Sequence, residues 1–359
     1  MSEVTKAFTP VQVGKNLLKN RIVMAPMTRS RAQDPGSLAT DLMALYYSQR
    51  ASAGLIITEG VQPSVVGQGY PHTPGLYSTE QVASWRTVTD AVHAAGGVIF
   101  AQLMHSGRIG HPDLHEGALL PMAPSAVAAE GQVYTDNGAQ DFPVPVEMTE
   151  ADILQTIEDF VSAAHNAVEA GFDGVEVHGA NGYLVHQFLS DNVNLRTDAW
   201  GSSVEGHIKF PVEVTKAVVA AIGADRVGIR LSPANPFNGI VENNFAATYT
   251  ALVSELATLD LAYLHFMENP MQNGLVNEIR TLWSNPLILN VFVGDRAKGR
   301  DDLVVIEEGR TDLISFGQLF ISNPDLPARL LNDGPYNEAN PATFYGGAAE
   351  GYTDYSTLS

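Results

Sequence analysis

The sequence lacks cysteine altogether among its 359 residues. This absence excludes disulfide bonds, thiolate nucleophiles and zinc or iron–sulfur sites held by thiolates. Basic residues are also scarce, since 20 Lys and Arg stand against 40 Asp and Glu and leave a net charge of −20. Such a charge repels phosphate backbones and anionic lipid headgroups, so we predict neither a nucleic acid nor a membrane surface as a partner.

Long apolar segments and targeting signals are missing as well. The chain contains no run of about 18 apolar residues, and its first residues lack a basic segment followed by an apolar core. We therefore expect a soluble, cytoplasmic protein. His105, His111 and His115 lie close in sequence, but no carboxylate pattern or element places them on one face, so no metal site is predicted.

Short aliphatic and β-branched runs alternate with amphipathic stretches along the chain. This alternation is typical of repeated βα units around a parallel sheet. The candidate strands cover residues 22–25, 55–58, 98–103, 174–177, 227–231, 263–266, 287–291 and 313–316. The length allows two domains or one large barrel, and eight strands favour the barrel. The predicted fold class is α/β, a single (β/α)8 TIM barrel over residues 1–359.

Two helix starts support this alternation independently of the strands. Ser78 precedes a periodic segment and Gln81 follows three residues later, which is the pattern of a capping box. Thr149 stands in the same way before apolar residues that recur at helical spacing from Ile153 to Val168. We expect a helix to begin after each cap.

Two segments do not follow the alternation. Residues 104–147, after the third strand, are punctuated by prolines and show no helical period. Because loops beyond about 15 residues in compact domains are usually functional or disordered, we predict a lid or insertion over the barrel mouth. Residues 340–359 are aromatic and rich in glycine, and we predict a tail that docks on the barrel.

A polar cluster follows the fourth candidate strand. His178, Asn181 and Tyr183 stand within six residues, and on a barrel such a strand exit faces the active-site mouth. The imidazole and the amide could hold a carbonyl oxygen while the phenol supplies a proton. Taken alone, an Asn-Gly turn between a core Tyr and a satisfied His is the commoner interpretation. Other predicted strand ends carry Thr28, Gln102 and Arg230.

Together these motifs resemble the Old Yellow Enzyme family of flavin-dependent ene-reductases. The resemblance runs from about residue 8 to residue 355, through KNRIVMAPMTR at 19–29, QLMHSGR at 102–108, the 178–183 cluster and GYTDY at 351–355. It implies a barrel that holds FMN at its mouth. The FMN would be reduced by transiently bound NAD(P)H and reoxidised by an α,β-unsaturated carbonyl or nitro compound, a small-molecule substrate.

The resemblance also implies a role for each matching residue. His178 and Asn181 would grip the substrate oxygen, and Tyr183 would be the acid that protonates the α-carbon. Thr28 would bind the flavin C4 carbonyl, while Gln102 and Arg230 would bind the pyrimidine edge. The remaining cofactor-binding residues would be Ala25, Pro26, Met27, Gly60, Gly294, Asp295, Gly317 and Gln318, and Met104 and Tyr345 would complete the substrate pocket.

The chain departs from the family pattern at the FMN phosphate. Gln318 stands where the family has an arginine, Asp295 adds a carboxylate nearby, and Met104 replaces a tryptophan. Loss of one charge-assisted pair weakens binding by about 1.5–3 kcal/mol. One alternative is therefore a flavin-poor or flavin-free barrel that isomerises or cyclises an unsaturated carbonyl compound by acid–base chemistry. A binding scaffold without activity is a further alternative, against which the retained polar residues argue.

Overall fold

The computed structural model describes residues 5–115, 117–272, 274–294 and 296–358. Within these ranges, 14 strands and 10 α-helices form, numbered here in chain order. Eight strands pair in parallel and close into a barrel in which the last strand pairs with the first. They are β3 (Ile22–Met24), β4 (Leu55–Val61), β5 (Ile99–Leu103), β10 (Gly174–Gly179), β11 (Val227–Leu231), β12 (Tyr263–Met267), β13 (Leu287–Asn290) and β14 (Leu313–Phe316). The predicted TIM barrel is confirmed.

The barrel strands coincide with the apolar runs because helices cover the outside of the sheet and side chains fill the inside. Strands buried on both faces read as continuous hydrophobic runs. The largest difference from the prediction is β4, which continues beyond Thr58 to Val61. Its pairing with β5 shifts register between Ile57 and Gly60, and this irregularity carries the strand through Glu59 and Gly60, where the apolar run has ended.

The helices surround the barrel. They are α1 (Asp41–Gln49), α2 (Thr79–Ala94), α3 (Glu150–Glu169), α4 (Leu184–Leu189), α5 (Val204–Ile222), α6 (Phe245–Leu256), α7 (Leu275–Leu282), α8 (Val304–Glu307), α9 (Gln318–Ser322) and α10 (Leu326–Asn332). The capping box predicted at Ser78 is present, and Thr149, predicted as an N-cap, forms a second capping box with Asp152. Each such cap stabilises its helix by about 1 kcal/mol. In the part of the chain that the structure describes, no helix is both long enough and apolar enough to cross a bilayer.

A hairpin closes the amino-terminal end of the barrel. Its strands β1 (Val11–Val13) and β2 (Asn16–Leu18) are antiparallel. Val13 and Leu18 are buried in one cluster with residues from the starts of several barrel strands, including Leu55 and Tyr263. The carboxyl ends of the strands, at the opposite end, are where TIM barrels place their active sites.

The segment 104–147 contains short strands but no α-helix among its described residues. The strands β6 (Met122–Ala123) and β9 (Val146–Glu147) pair in parallel, and β7 (Gln132–Thr135) and β8 (Gly138–Asp141) form a hairpin. Tyr134 on β7 is 75% exposed and lines a cavity at the carboxyl ends of the strands. The interpretation as a lid stays a prediction.

The carboxyl-terminal segment packs against the first βα loop and α1. Arg29 Nε donates to the Phe344 carbonyl at 2.8 Å, and Arg31 Nη2 donates to the Thr343 carbonyl at 3.0 Å. Tyr352 is fully buried and stacks on Tyr46, with ring centroids 4.0 Å apart. Guanidinium groups thus satisfy backbone carbonyls that would otherwise be unpaired in this interface.

Candidate active site

Two adjoining cavities open at the carboxyl ends of the barrel strands. Their volumes are about 640 Å³ and about 540 Å³, and both are lined by Pro26 and Arg230. The first also contains Met27, Thr28, Gly60, Gln102, Met104, His178, Asn181, Tyr183 and Tyr345. The second also contains Ala25, Gly294, Gly317 and Gln318. Every residue assigned to the site from the sequence lies in one of these cavities except Asp295, which is outside the described residues.

A buried carboxylate lies beneath the first cavity. Glu176 Oε1 accepts a hydrogen bond from Gln102 Nε2 at 2.8 Å, and its Oε2 lies 2.9 Å from His265 Nδ1. His265 Nε2 in turn lies 2.8 Å from Ser315 Oγ. Burial lowers the pKa of Arg230, and the Glu176 charge opposes this shift. Sequence reasoning missed Glu176, although its spacing of two from His178 puts both side chains on the inner face of β10.

His178 is held as a neutral imidazole. Burial lowers its pKa well below 6.5, and the charge of Arg230 lowers the pKa further. Its Nδ1 lies 3.3 Å from Gln102 Nε2, an amide nitrogen that can only donate. Nδ1 is therefore the acceptor and the single ring proton lies on Nε2. The protein thus fixes the tautomer through the amide of Gln102.

Asn181 lies in the predicted turn and also in the wall of the first cavity. Its backbone is left-handed, with a φ of 57°, and its N–H donates to Ser232 Oγ at 2.9 Å. Its side-chain oxygen accepts from Asn235 Nδ2, also at 2.9 Å. Because the oxygen is occupied, the amide group presents N–H donors to the cavity. Asn and Gly are the residue types that tolerate this backbone conformation.

Tyr183 is a buried neutral phenol next to a second phenol. It precedes α4 and is 8% exposed. Burial raises the pKa of Tyr183 well above 10, and the nearby Tyr70 raises it further. The two hydroxyl oxygens are 2.9 Å apart and the rings meet edge to face. Tyr70 lies in the loop between β4 and α2, and no sequence motif marked it.

The second cavity is positively charged. Arg230, Arg296 and Lys298 line it, and its described lining contains no carboxylate. Arg296 is paired with Asp302, whereas Lys298 has no hydrogen bond or ion pair with any described residue. Burial lowers the pKa of Lys298, and Asp302 acts in the opposite direction. A partly buried ammonium that pairs with no described residue, beside the exposed Gln318, is suited to an anion such as a phosphate.

The two cavities together fit FMN. Pro26, Met27 and Met104 give the first cavity an apolar surface, and Gln102 and Arg230 give it a polar edge. Arg230 Nε is buried and has no hydrogen-bond partner among the described residues. An orphaned buried donor of this kind is expected where a ligand completes the site. A flat heteroaromatic ring suits the first cavity and a phosphate suits the second.

Comparisons with known proteins agree with this site. Residues 6–337 match the model of the NADH:flavin oxidoreductase / NADH oxidase family. The chain is 42% identical to chanoclavine-I aldehyde reductase of Penicillium roqueforti, over 98% of this chain and 96% of that protein. It is 40% identical to a probable flavin mononucleotide-dependent alkene reductase of Leishmania infantum, over 96% of each chain.

Solved structures with the same fold include two homologous enzymes. Morphinone reductase in complex with tetrahydroNAD superposes with a TM-score of 0.93 at 41% identity, covering 99% of this chain and 98% of that one. The Old Yellow Enzyme homologue of Zymomonas mobilis also gives a TM-score of 0.93, at 38% identity, covering 99% of this chain and 100% of that one. The chain therefore belongs to the FMN- and NAD(P)H-dependent NADH:flavin oxidoreductase family, which includes the Old Yellow Enzyme homologues.

Proposed function

We propose that this enzyme reduces the activated C=C bond of α,β-unsaturated carbonyl or nitro compounds. The observation that carries the proposal is the arrangement of His178, Asn181 and Tyr183 around one cavity. The first two present neutral N–H donors, and the third presents a protonated phenol. Neutral donors stabilise the charge that develops on a carbonyl oxygen during reduction, without a permanent cation beside it.

FMN would be held by residues of both cavities. Thr28 and the 25–27 backbone would contact the ring, and Gly60 would border it. Gln102 already donates to Glu176, so its free oxygen would accept from a ring N–H. Lys298 and Gly317 would face the phosphate. When bound, FMN supplies the hydride that it receives from NAD(P)H.

The protein side chains perform the rest of the reaction. His178 Nε2–H and the Asn181 amide donate to the substrate oxygen and draw electron density from the alkene, so that its β-carbon accepts a hydride. Tyr183 then gives its hydroxyl proton to the α-carbon. Removal of one such oxyanion donor typically lowers the rate about 10²–10³-fold.

Two surface segments would complete the substrate pocket. Val133 and Tyr134 of the 104–147 insertion line the first cavity, and so do Tyr345 and Gly346 of the 340–359 tail. We therefore assign both segments to the walls of the mouth. Met104, in the place of a bulkier tryptophan, leaves room for a larger substituent on the substrate.

The proposal is tested on the purified protein by its flavin absorbance and by the NAD(P)H-dependent loss of a cyclic enone. His178→Ala and Asn181→Ala should each lower turnover about 10²–10³-fold while FMN content is retained. His165→Ala is the matched control, because His165 is exposed on α3 away from the cavities. Undiminished turnover in both site variants would refute the assigned roles. Isomerisation of the enone by flavin-free protein would support the acid–base alternative.

A further inference from the structure

Tyr70 and Tyr183 form a pair of phenols in the wall of the first cavity. Their hydroxyl oxygens are 2.9 Å apart, although the residues are separated by 113 positions in the sequence. The ring centroids are 6.3 Å apart and the ring planes stand at 88°. Both side chains line the cavity in which the substrate would lie. The loop between β4 and α2 thus brings a second acidic hydrogen to the proposed proton donor.

The two phenols differ in their access to water. Tyr183 is buried in an apolar cluster with Met104, Ile109 and Ala129, against which Tyr70 packs from the side. Tyr70 is partly exposed and is followed by Pro71 and His72, which line the same cavity at its mouth. The Tyr183 hydroxyl lies within hydrogen-bond distance of the Tyr70 hydroxyl, and the side chain of Asn238 also faces it. Tyr70 is therefore the more solvent-accessible of the two phenols.

The hydrogen bond between the two phenols can stabilise Tyr183 after it loses its proton. A phenolate in an apolar pocket is strongly destabilised unless a donor reaches its oxygen. In the resting pair either hydroxyl can donate, but a phenolate at Tyr183 can only accept, so Tyr70 then donates to it. The side chain of Asn238 faces both hydroxyls and favours the ionised form of each.

We propose that Tyr70 is a proton relay for Tyr183, an inference that rests on the proposed alkene reduction. The alkene gains a hydride from the reduced cofactor at its β-carbon, and its π electrons move onto the substrate oxygen as an enolate. The enolate takes the proton of Tyr183 at the α-carbon, and Tyr183 takes the proton of Tyr70. Tyr70 is reprotonated by water at the mouth, so both phenols are restored and one proton is drawn from solvent.

Tyr70→Phe tests this relay, because it removes one oxygen and keeps the ring. Flavin reduction by NAD(P)H and FMN content should be unchanged. Reoxidation by a cyclic enone should slow about 10- to 100-fold, the effect of one hydrogen bond to a charged group, and its solvent isotope effect should increase. Reoxidation by a nitroalkene should be nearly unaffected, since its hydride adduct is a stabilised anion that needs no immediate proton.

Two further variants make the result decisive. Tyr77→Phe is the matched control, because Tyr77 lies in the same loop and lines neither cavity. Tyr183→Phe tests the proposed acid separately from the relay. If this variant reduces the enone as fast as the parent, the assignment of Tyr183 as the acid is wrong. If Tyr183→Phe is slow and Tyr70→Phe behaves as the parent, only the relay is overturned. Equal slowing of Tyr70→Phe with enone and nitroalkene, or loss of FMN, would assign Tyr70 a structural role and also overturn the relay.

Discussion

Lys298 should supply the cation for the FMN phosphate that Gln318 cannot provide. Both residues line the second cavity, and Lys298 has no partner among the described residues while Arg296 is engaged by Asp302. A hydrogen bond between charged groups contributes about 1.5–3 kcal/mol in a partly buried site. Lys298→Ala should therefore weaken FMN binding roughly 10- to 150-fold.

The measurement is a titration of flavin-free protein with FMN and, in parallel, with riboflavin, followed by quenching of flavin fluorescence. Riboflavin has the same ring and ribityl chain but no phosphate, so its affinity should not change in Lys298→Ala. Lys15→Ala is the matched control, because Lys15 is exposed and lies outside both cavities. A parallel loss of riboflavin affinity would mean that the substitution distorts the ring site instead.

The reciprocal variant, Gln318→Arg, places a guanidinium at the start of α9, where the family resemblance expects one. It should tighten FMN binding in the parent and restore most of the loss in Lys298→Ala, again without an effect on riboflavin. Because both cations would contact one phosphate, their contributions should not add fully. Unchanged FMN affinity in Lys298→Ala and in Gln318→Arg would refute this account of the phosphate site.

Two predictions concern stability. Glu176→Gln keeps the shape of the side chain but leaves the buried Arg230 without its counter-charge, so urea denaturation should show a loss of about 3–5 kcal/mol. An unchanged midpoint would contradict this. Burial raises the pKa of Glu59 from 4.5 to about 7. The contribution of Glu59 to folding stability is therefore fully present below pH 4.5 and is lost as the pH rises through 7. Glu59→Gln should remove this loss, up to roughly 3 kcal/mol, which is measured by comparing both proteins at about pH 5 and about pH 8. A variant that loses more stability than the parent over this interval would show the sign to be wrong.

The barrel could be predicted because its determinants are local. Runs such as residues 55–58 are apolar or β-branched, and a capping box such as that of Ser78 requires only four consecutive residues. Where a strand continues through polar residues, as β4 does at Glu59, the apolar pattern predicts a strand that is too short. Pairing with β5 carries the strand further, and that pairing is a tertiary interaction which periodicity does not report.

The same distinction between local and tertiary determinants applies to the site residues. His178, Asn181 and Tyr183 could be found because a single strand exit presents all three. Tyr70 and Lys298 were missed because their importance arises only where the fold brings distant parts of the chain together. Tyr70 meets Tyr183, which is 113 residues away, and Lys298 lines a cavity with Arg230 and Gln318. Glu176 is intermediate: the alternation of β10 assigns it to the inner face, but only the closed barrel brings it to His265 and Gln102.

The distribution of charge within the site follows from what each of the two cavities must stabilise. A cation next to the substrate oxygen would attract any anion in the ground state, whereas neutral donors strengthen as the oxygen gains charge in the transition state. The site keeps His178 neutral by burying it and by placing Arg230 nearby. The same Arg230 belongs to both cavities and, with Lys298, makes the second one cationic in a chain of net charge −20. Under the proposed function, one buried guanidinium thus suppresses ionisation where a carbonyl would be polarised and favours an anion where the cofactor would be anchored.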